Sequence, residues 1–412
     1  MKAILSPFSA LYAAVFFLMA GMSLLGSLLS LRLTMEGFFV QTIGVVMASY
    51  FLGLLAGTFF CNRLIQRVGH IRAFAAFAAV TTAVVMLHAL YVSPLTWALL
   101  RFLTGVSAIG LYTVIESWLC ECSPPAVRGR VFAIYMVVTC LGQGVGQLFL
   151  NVGDPKSQTV FIVVALCVVL CIVPVSVTQS IYPQLPKFQP IKLKAIFLKS
   201  PVGTSGCLLS GLISSAFFSM GPVFCKQFEM SLFQISWFMT AAIVGGLLLQ
   251  WPIGAISDRF DRSLVLLILG VAICVTTPVV MLVIKVQIEL LIGVMVLYGG
   301  LIFSIYPVSI ARAQDLFKPE DIVSVSSSLL FAYGVGAATG PLLASMVMSI
   351  SSYGLFIFFF IVAAIYALSV FMLRRNEKIE IIPVEKQGEF VFMQKTSVVA
   401  LHQDIQPEGG KL

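Results

Sequence analysis

The sequence predicts an all-α integral membrane protein of twelve transmembrane helices in two six-helix repeats. Three observations carry that prediction. Of 412 residues, 59% are hydrophobic and only 10% are charged, and the mean hydropathy is +1.04. A soluble domain of this size needs far more charged surface, so the composition excludes one. The apolar residues fall in runs long enough to cross a bilayer, about 20 residues each. Finally, the second half of the chain repeats the first.

The elements follow in order. The first run, 7–31, is too long for a signal-peptide core and no small-residue cleavage site follows it, so it reads as a mature span. Runs 41–61 and 73–92 come next, separated by Arg63, Arg67 and Arg72. The fourth, 95–119, carries Arg101 near its start and Glu116 before its end. The fifth, 130–152, follows Arg128 and Arg130 and contains the glycine-rich "GQGVGQ", Gly142 to Gln147. The sixth, 158–178, closes a first bundle over 1–178. Segment 179–201, with Pro183, Pro186, Pro190 and four lysines, links it to a second bundle over 202–373. That bundle holds runs 202–225, 233–257, 263–284, 287–311, 322–349 and 353–373. A tail, 374–412, mixes charges with short apolar stretches such as "EFVFM".

Twelve spans put both termini on one side of the membrane. With that side inside, the inner segments hold 20 of the 25 Lys and Arg and the outer loops hold four, Arg101 being within a span. The bias places both termini in the cytoplasm. The net charge of +8 is therefore a topology signal, and no nucleic-acid partner is expected. Trp97, Trp118, Trp237 and Trp251 all fall near span ends, where indoles prefer to sit. The nine cysteines form no CxxC pair and read as small buried hydrophobes. Three scattered histidines build no metal site, and His88 reads as an interfacial residue. No cofactor is expected.

The repeat is visible as a constant offset. Adding 194 takes Gly105 to Gly299, Tyr112 to Tyr306, Glu121 to Asp315, Gly142 to Gly336 and Gly146 to Gly340. Earlier in the chain 192 takes Ile43 to Ile235, Met47 to Met239 and Gly53 to Gly245. Six spans per copy give parallel repeats about an axis along the membrane normal, the plan of a rocking secondary transporter.

Several stretches together resemble the major facilitator superfamily. "GAISDRFDR", Gly254 to Arg262, is similar to its Gly-x-x-x-Asp-Arg-x-Gly-Arg gating motif, with Asp261 in place of the second glycine. The first-half copy, "NRLIQRVGHIR", has Gln66 where the family has Asp but keeps Arg67 and Gly69. Arg101 and Gly105 resemble the Arg-x-x-x-Gly pattern of span four. "GQGVGQ" partly resembles the antiporter motif, with Gln147 at its proline, while span eleven carries Gly340-Pro341. The wording "IESWL…RGR" resembles the YcaD-like group of bacterial facilitators. The resemblance covers residues 1 to 373 and implies the major facilitator fold, with spans one, four, seven and ten lining a central cavity.

That resemblance implies a cytoplasmic gate made of Asp258, Arg259, Arg262, Arg67, Glu121, Arg128 and Asp315. Arg67 or Arg128 would meet Glu121, and Arg259 or Arg262 would meet Asp315. Plain solvation of charges at helix ends is the alternative. Gly142, Gly146, Gly336, Gly340 and Pro341 read as close helix packing or as a hinge, and the resemblance favours contact between the halves there.

The fourth span carries the chemistry. A charge at mid-depth costs roughly 2.5–3.5 kcal/mol on the lenient scale, yet this span has one of each sign. Positions 101, 105, 108, 112 and 116 fall on one face about 80° wide, reading Arg, Gly, Ala, Tyr, Glu. At about 1.5 Å per residue Arg101 and Glu116 stand about 22 Å apart, too far to pair. Their repeat-mates are Met295 and Ile310, so the charges belong to the first half, and Tyr298, Tyr306 and apolar surface to the second. Glu116 reads as a proton- or cation-coupling carboxylate, or as a structural partner of an inner arginine. Arg101 reads as an anion or coupling residue, or as a side chain snorkelling outward. Tyr112 lies between them. Gln143 and Gln147 read as ligand donors or as helix–helix glue, and Ser210, Ser214 and Ser215 as weaker candidates.

The expected function is secondary active transport of a small solute across a bacterial inner membrane by alternating access, proton-coupled and leaning to efflux. The competing class is a non-transporting scaffold or sensor on the same fold. An enzyme is not expected, because no HExxH, nucleophile–base pair or phosphate loop is present. The expected partners are a small-molecule substrate, protons and the lipid bilayer, and the expected state is a monomer.

Overall fold

A computed structural model of the protein describes residues 2–176, 193–318, 321–375, 380–388 and 390. Most of the expected linker, 179–192, and the end of the tail, 391–412, lie outside them. The first six spans are α1 (Lys2–Met35), α2 (Val40–Val68), α3 (His70–Leu90), α4 (Pro94–Cys122), α5 (Pro125–Leu148) and a sixth broken into α6 (Thr159–Leu170) and α7 (Ile172–Ser176). A short helix α8 (Leu193–Lys199) precedes the second six. These are α9 (Pro201–Gln227), α10 (Leu232–Ser257), α11 (Arg262–Val283), α12 (Ile288–Gln314), α13 (Ile322–Met348) and α14 (Gly354–Arg375). Among the described residues, twelve segments are long and apolar enough to cross a membrane.

Local chemistry sets the boundaries. Prolines open α4, α5 and α9 in the first turn, where a missing N–H removes no helical bond. Gly69, at φ 87°, ends α2 and starts α3 in one residue, a conformation that costs a Cβ-bearing residue more. Ser231 and Gln234 form a capping box on α10, and Asp261 caps α11 by accepting from the Ser263 N–H at 3.2 Å. The break in the sixth span falls at Cys171, just after Leu170, whose carbonyl the nitrogen of Pro174 cannot donate to. Helix α8 sits where the sequence suggests only a linker. Its apolar Ile196 is buried with Tyr306 and Leu329, which is reason enough for a turn of helix.

Small residues bring the helices together in the same way in both halves. A Cβ on Gly53 would strike the Phe102 carbonyl and one on Gly105 the Tyr50 carbonyl, so α2 and α4 touch backbone to backbone. Gly245 and Gly299 do the same for α10 and α12. Gly142 and Gly146 of α5 seat on Phe16 and Ala20 of α1, and Gly336 and Gly340 of α13 seat on Leu208 and Leu212 of α9. These glycines therefore pack each half internally. The expected contact between halves is corrected for the four glycines: it is made by the opposite faces of the same helices, while Pro341 does meet the other half through its carbonyl, against Gly44 of α2. The carbonyl of Gly144 accepts from Thr240 Oγ1 at 3.2 Å, and Gly334 meets Leu55.

The two halves do not meet evenly. One apolar cluster runs from Leu24–Leu33, Ile43–Met47, Trp97 and Phe161 of the first half into α9, α10 and α12 of the second. These first-half residues all lie at the end opposite the termini, hereafter the far end. There Asn151 Nδ2 also donates to Ser236 Oγ at 2.9 Å. Gly44 of α2 packs at the same end against Ser345 and the Pro341 carbonyl of α13. At the termini end the first half has its own cluster, around Phe74, Ile115, Trp118 and Tyr135, and the second has another, around Tyr306, Ile310 and Leu329. The apolar core is thus continuous across the halves at the far end and divided at the termini end.

Candidate functional site

Helix α4 is buried almost without interruption from Thr104 to Cys120, as α12 is from Tyr298 to Ala313. Arg101, Gly105, Ala108, Tyr112 and Glu116, the face expected on α4, are all buried. Arg101 is 3% exposed, with its guanidinium 4.4 Å from the centre of the Tyr50 ring on α2. It stacks on that ring rather than snorkelling to an interface, and its Nε has no hydrogen-bond partner. The Tyr50 and Tyr112 hydroxyls stand 3.5 Å apart, which extends the arrangement towards Glu116.

Glu116 is 1% exposed and accepts a 3.0 Å hydrogen bond from the Tyr135 hydroxyl of α5. Tyr112 and Tyr306 both lie within its electrostatic reach, and Tyr306 belongs to the other half. Its ring packs edge-on to Tyr333 of α13, 5.0 Å between centroids. The site therefore reads Arg101–Tyr50–Tyr112–Glu116–Tyr135 on the first half, with Tyr306 facing it from the second. Tyr50 and Tyr135 were absent from the sequence candidates, because neither carries a charge and their helices give no spacing that points at α4.

Other candidates are placed elsewhere. Tyr298 turns away from α4: its hydroxyl is 3.2 Å from Thr277 Oγ1 of α11 and its ring packs on Phe356 and Phe359 of α14. Gln147 commits its whole amide to α1, accepting from Ser27 at 2.7 Å and donating to Ser23 Oγ at 2.6 Å and the Ser23 carbonyl at 3.2 Å. Gln143 is half-buried, and its carbonyl accepts from Ser23 Oγ at 2.9 Å. His88, expected at an interface, is fully buried, with Nδ1 2.8 Å from the Val84 carbonyl and its ring 5.4 Å from Trp97. Among the described residues no three His, Cys, Asp or Glu come together as metal ligands.

The residues expected to form the gate are built unequally. In the second half Arg262, 1% exposed, holds Asp315 Oδ1 at 2.6 Å and Asp258 Oδ1 at 2.8 Å. Arg262, not Arg259, is thus the partner of Asp315, and Arg259 is exposed. Asp315 caps the end of α12; burial pushes its carboxyl above the ordinary value despite Arg262 beside it and the Gly388 N–H on it. Asp261 pairs with Arg374 at the end of α14. Burial alone would raise its carboxyl, but bonds from Ser263 and Arg374 outweigh it and hold it below the ordinary value. The first-half counterparts of Asp258, Arg262 and Asp315 are Gln66, His70 and Glu121, by the same offsets. His70 opens α3 as Arg262 opens α11, is buried, and lies within electrostatic reach of Glu121. Arg67 is exposed, and buried Arg128 donates to the Ser123 carbonyl at 3.1 Å.

Known proteins resemble the chain in sequence and in fold. The chain is 27% identical over 372 residues to the uncharacterised MFS-type transporter YcaD of Salmonella arizonae, covering 90% of this chain and 96% of that one. The same figures hold for YcaD of Salmonella typhimurium. Its fold is similar to a crystal structure of the nucleoside transporter NupG, with a TM-score of 0.77 at 14% identity over 91% of this chain and all of that one. It is also similar to an inward-facing, unoccupied bacterial homologue of the human lysosomal transporter Spinster, with a TM-score of 0.70 at 14% identity over 91% and 99% of the chains. The Major Facilitator Superfamily model matches residues 11–233 and 205–404, one stretch for each half. With the repeated halves, the twelve spans and both matched stretches in hand, the chain belongs to the Major Facilitator Superfamily of membrane transporters, and within it resembles the YcaD-type members.

Proposed function

We propose that the protein is a proton-coupled secondary transporter of a bacterial inner membrane, working as a monomer with both termini in the cytoplasm and moving a small amphipathic solute outward. The observation that carries the reading is Glu116. It is a buried carboxylate on the face of α4, held by Tyr135 and within electrostatic reach of Tyr306 on the other half. Rocking of one half against the other changes how close Tyr306 lies while Tyr135 stays with it. The carboxylate then alternates between environments that hold and release a proton. Arg101, stacked on Tyr50 and close to the far end, offers the one guanidinium of the face to an anionic group of the solute or to the coupling cycle. The clustered second-half side chains, Tyr306, Ile310 and Leu329 among them, are apolar and buried, which favours an amphipathic over a heavily hydroxylated solute. With the termini cytoplasmic, the divided end of the core faces the cytoplasm, the state in which such a solute is loaded for export.

The test is proton movement in liposomes. Wild type and Glu116→Gln are reconstituted with a trapped pH-sensitive dye and challenged with pooled metabolites and amphipathic cations. A pool that drives proton flux in wild type and none in the variant is the expected result. Equal flux in both removes Glu116 from coupling. Neither flux nor solute exchange in either favours a scaffold or sensor.

A further inference from the structure

The tail folds back onto the gate of the second half. Arg374, in the last turn of α14, bonds to Asp261 and Ser263 at the start of α11 and so anchors the point where the tail leaves the bundle. Beyond it, the Glu380 carbonyl accepts from Arg312, which is 2% exposed. Ile382 is buried, and its carbonyl accepts from Gln387 Nε2 at 3.3 Å across a 3₁₀ turn, Val384–Lys386. The Gly388 carbonyl accepts from Arg262 Nη2, and the Gly388 N–H donates to Asp315 Oδ1 at 3.1 Å. The Phe390 ring then lies over Gly254 of α10, where a Cβ would collide with it.

Each contact falls on a gate residue or its neighbour. Arg262 of the motif and its buried partner Asp315 both bond to Gly388, one to its carbonyl and the other to its N–H. Gly254 is the first residue of "GAISDRFDR", and here its bareness makes the seat for an aromatic ring. Gly254 also continues the stripe Gly246–Gln250 by which α10 packs on α12. Phe390 therefore enters between the termini ends of α10 and α12, and the strap ties α10, α11 and α12 in one arrangement. Charge-assisted bonds to backbone carbonyls are among the stronger ones available, and these arginines are almost fully dry.

We propose that residues 380–388 and Phe390 are a built-in latch: they occupy the charge cluster at the termini end of the second half and hold that end in the arrangement in which its core is divided, so that they must leave before the two halves can join there. The latch rests on the transporter reading for its effect on turnover, but its docking and its effect on closure do not.

Hydrogen exchange on the full chain, on Phe390→Ala and on a chain ending at Arg375 tests both levels. In wild type the Gly388 amide is expected to exchange at least about tenfold more slowly than in a free 380–390 peptide. In Phe390→Ala that protection is lost. In the shortened chain the termini ends of α4 and α12 are expected to become more protected, because closure is no longer opposed. Adding the 380–390 peptide to the shortened chain restores the wild-type pattern, which separates loss of the latch from misfolding. Liposome flux in the shortened chain is expected to rise several-fold and to fall again with peptide. Free-peptide exchange at Gly388 in wild type overturns the docking. Docking with unchanged protection of α4 and α12 in the shortened chain overturns the latch. If no variant shows flux while the exchange results hold, the transporter reading fails and the latch stands.

Discussion

A buried guanidinium needs something in place of water, and at Arg101 that is the Tyr50 ring. A desolvated cation–π contact is worth about 2 kcal/mol. Tyr50→Leu is therefore expected to lower stability by about 2 kcal/mol, whereas Tyr50→Phe keeps the face of the ring and loses only the hydroxyl contact with Tyr112. Unfolding of the three proteins in the same detergent checks this, and equal loss in Leu and Phe would remove the ring from the account. At this scale the sequence was half legible. Arg101, Tyr112 and Glu116 share one face because a helix has a fixed period, so their alignment could be read in one dimension. Tyr50 and Tyr135 complete the site from other helices, and the register between helices is set by packing that no single run encodes. The same blindness grouped Tyr298 with Tyr306 as second-half candidates: both lie on α12, but the Tyr298 side chain turns towards Thr277 and α14.

Among elements, helix ends decide how the second half is tied. Asp261 caps α11 and pairs with Arg374 of α14, so one carboxylate joins two spans. Its folded-state value is lowered, so its stabilisation is present above the ordinary aspartate value, about 3.9, and is lost as pH falls through the still lower folded value. Asp315 has the opposite sign: its value is raised, so the folded state takes up that proton more readily than the unfolded state and gains as pH falls. The comparison that isolates Asp261 is wild type against Asp261→Asn, which keeps a capping oxygen but not the charge. The gap between their melting temperatures is expected to be widest near neutral pH and to close as pH falls below the ordinary aspartate value; a gap independent of pH would show that the ion pair contributes nothing. The charge cluster around Arg262 was legible in "GAISDRFDR" because its spacing is fixed along the chain. Its asymmetry was less so. His70 stands where Arg262 stands in the repeat, but the alignment there carries few identities and a buried histidine has no motif. The latch was illegible for a simpler reason: it binds through the Glu380 and Gly388 carbonyls, and every residue has a carbonyl.

For the whole molecule, the divided core implies a balance between two packings of the same halves, and the far-end contacts weigh on one side. Twelve spans and the repeat were readable from composition and offset, but which end is joined was not, since both ends use the same apolar residues. The decisive contacts are Gly44 against Ser345 and the Pro341 carbonyl, the Gly144 carbonyl with Thr240, and Asn151 with Ser236. Gly44 is the sharpest of these, because a side chain there meets backbone as well as a hydroxyl and the backbone cannot swing aside. Overpacking of this kind costs about 1–3 kcal/mol, and about 1.4 kcal/mol shifts a two-state population tenfold. Gly44→Leu is therefore expected to open the far end and populate the alternative state. Gly245→Leu, which collides with Val296 inside the second half, should instead lower stability without moving the halves. Ser236→Cys reports the difference, since that position is fully buried at the far-end contact. In a background with the half-buried Cys122, Cys140 and Cys274 replaced by serine, a membrane-impermeant maleimide should label it about tenfold faster with Gly44→Leu and no faster with Gly245→Leu. Unchanged labelling with a lowered melting temperature in both would mean that the far end is a fixed core and not one side of a switch.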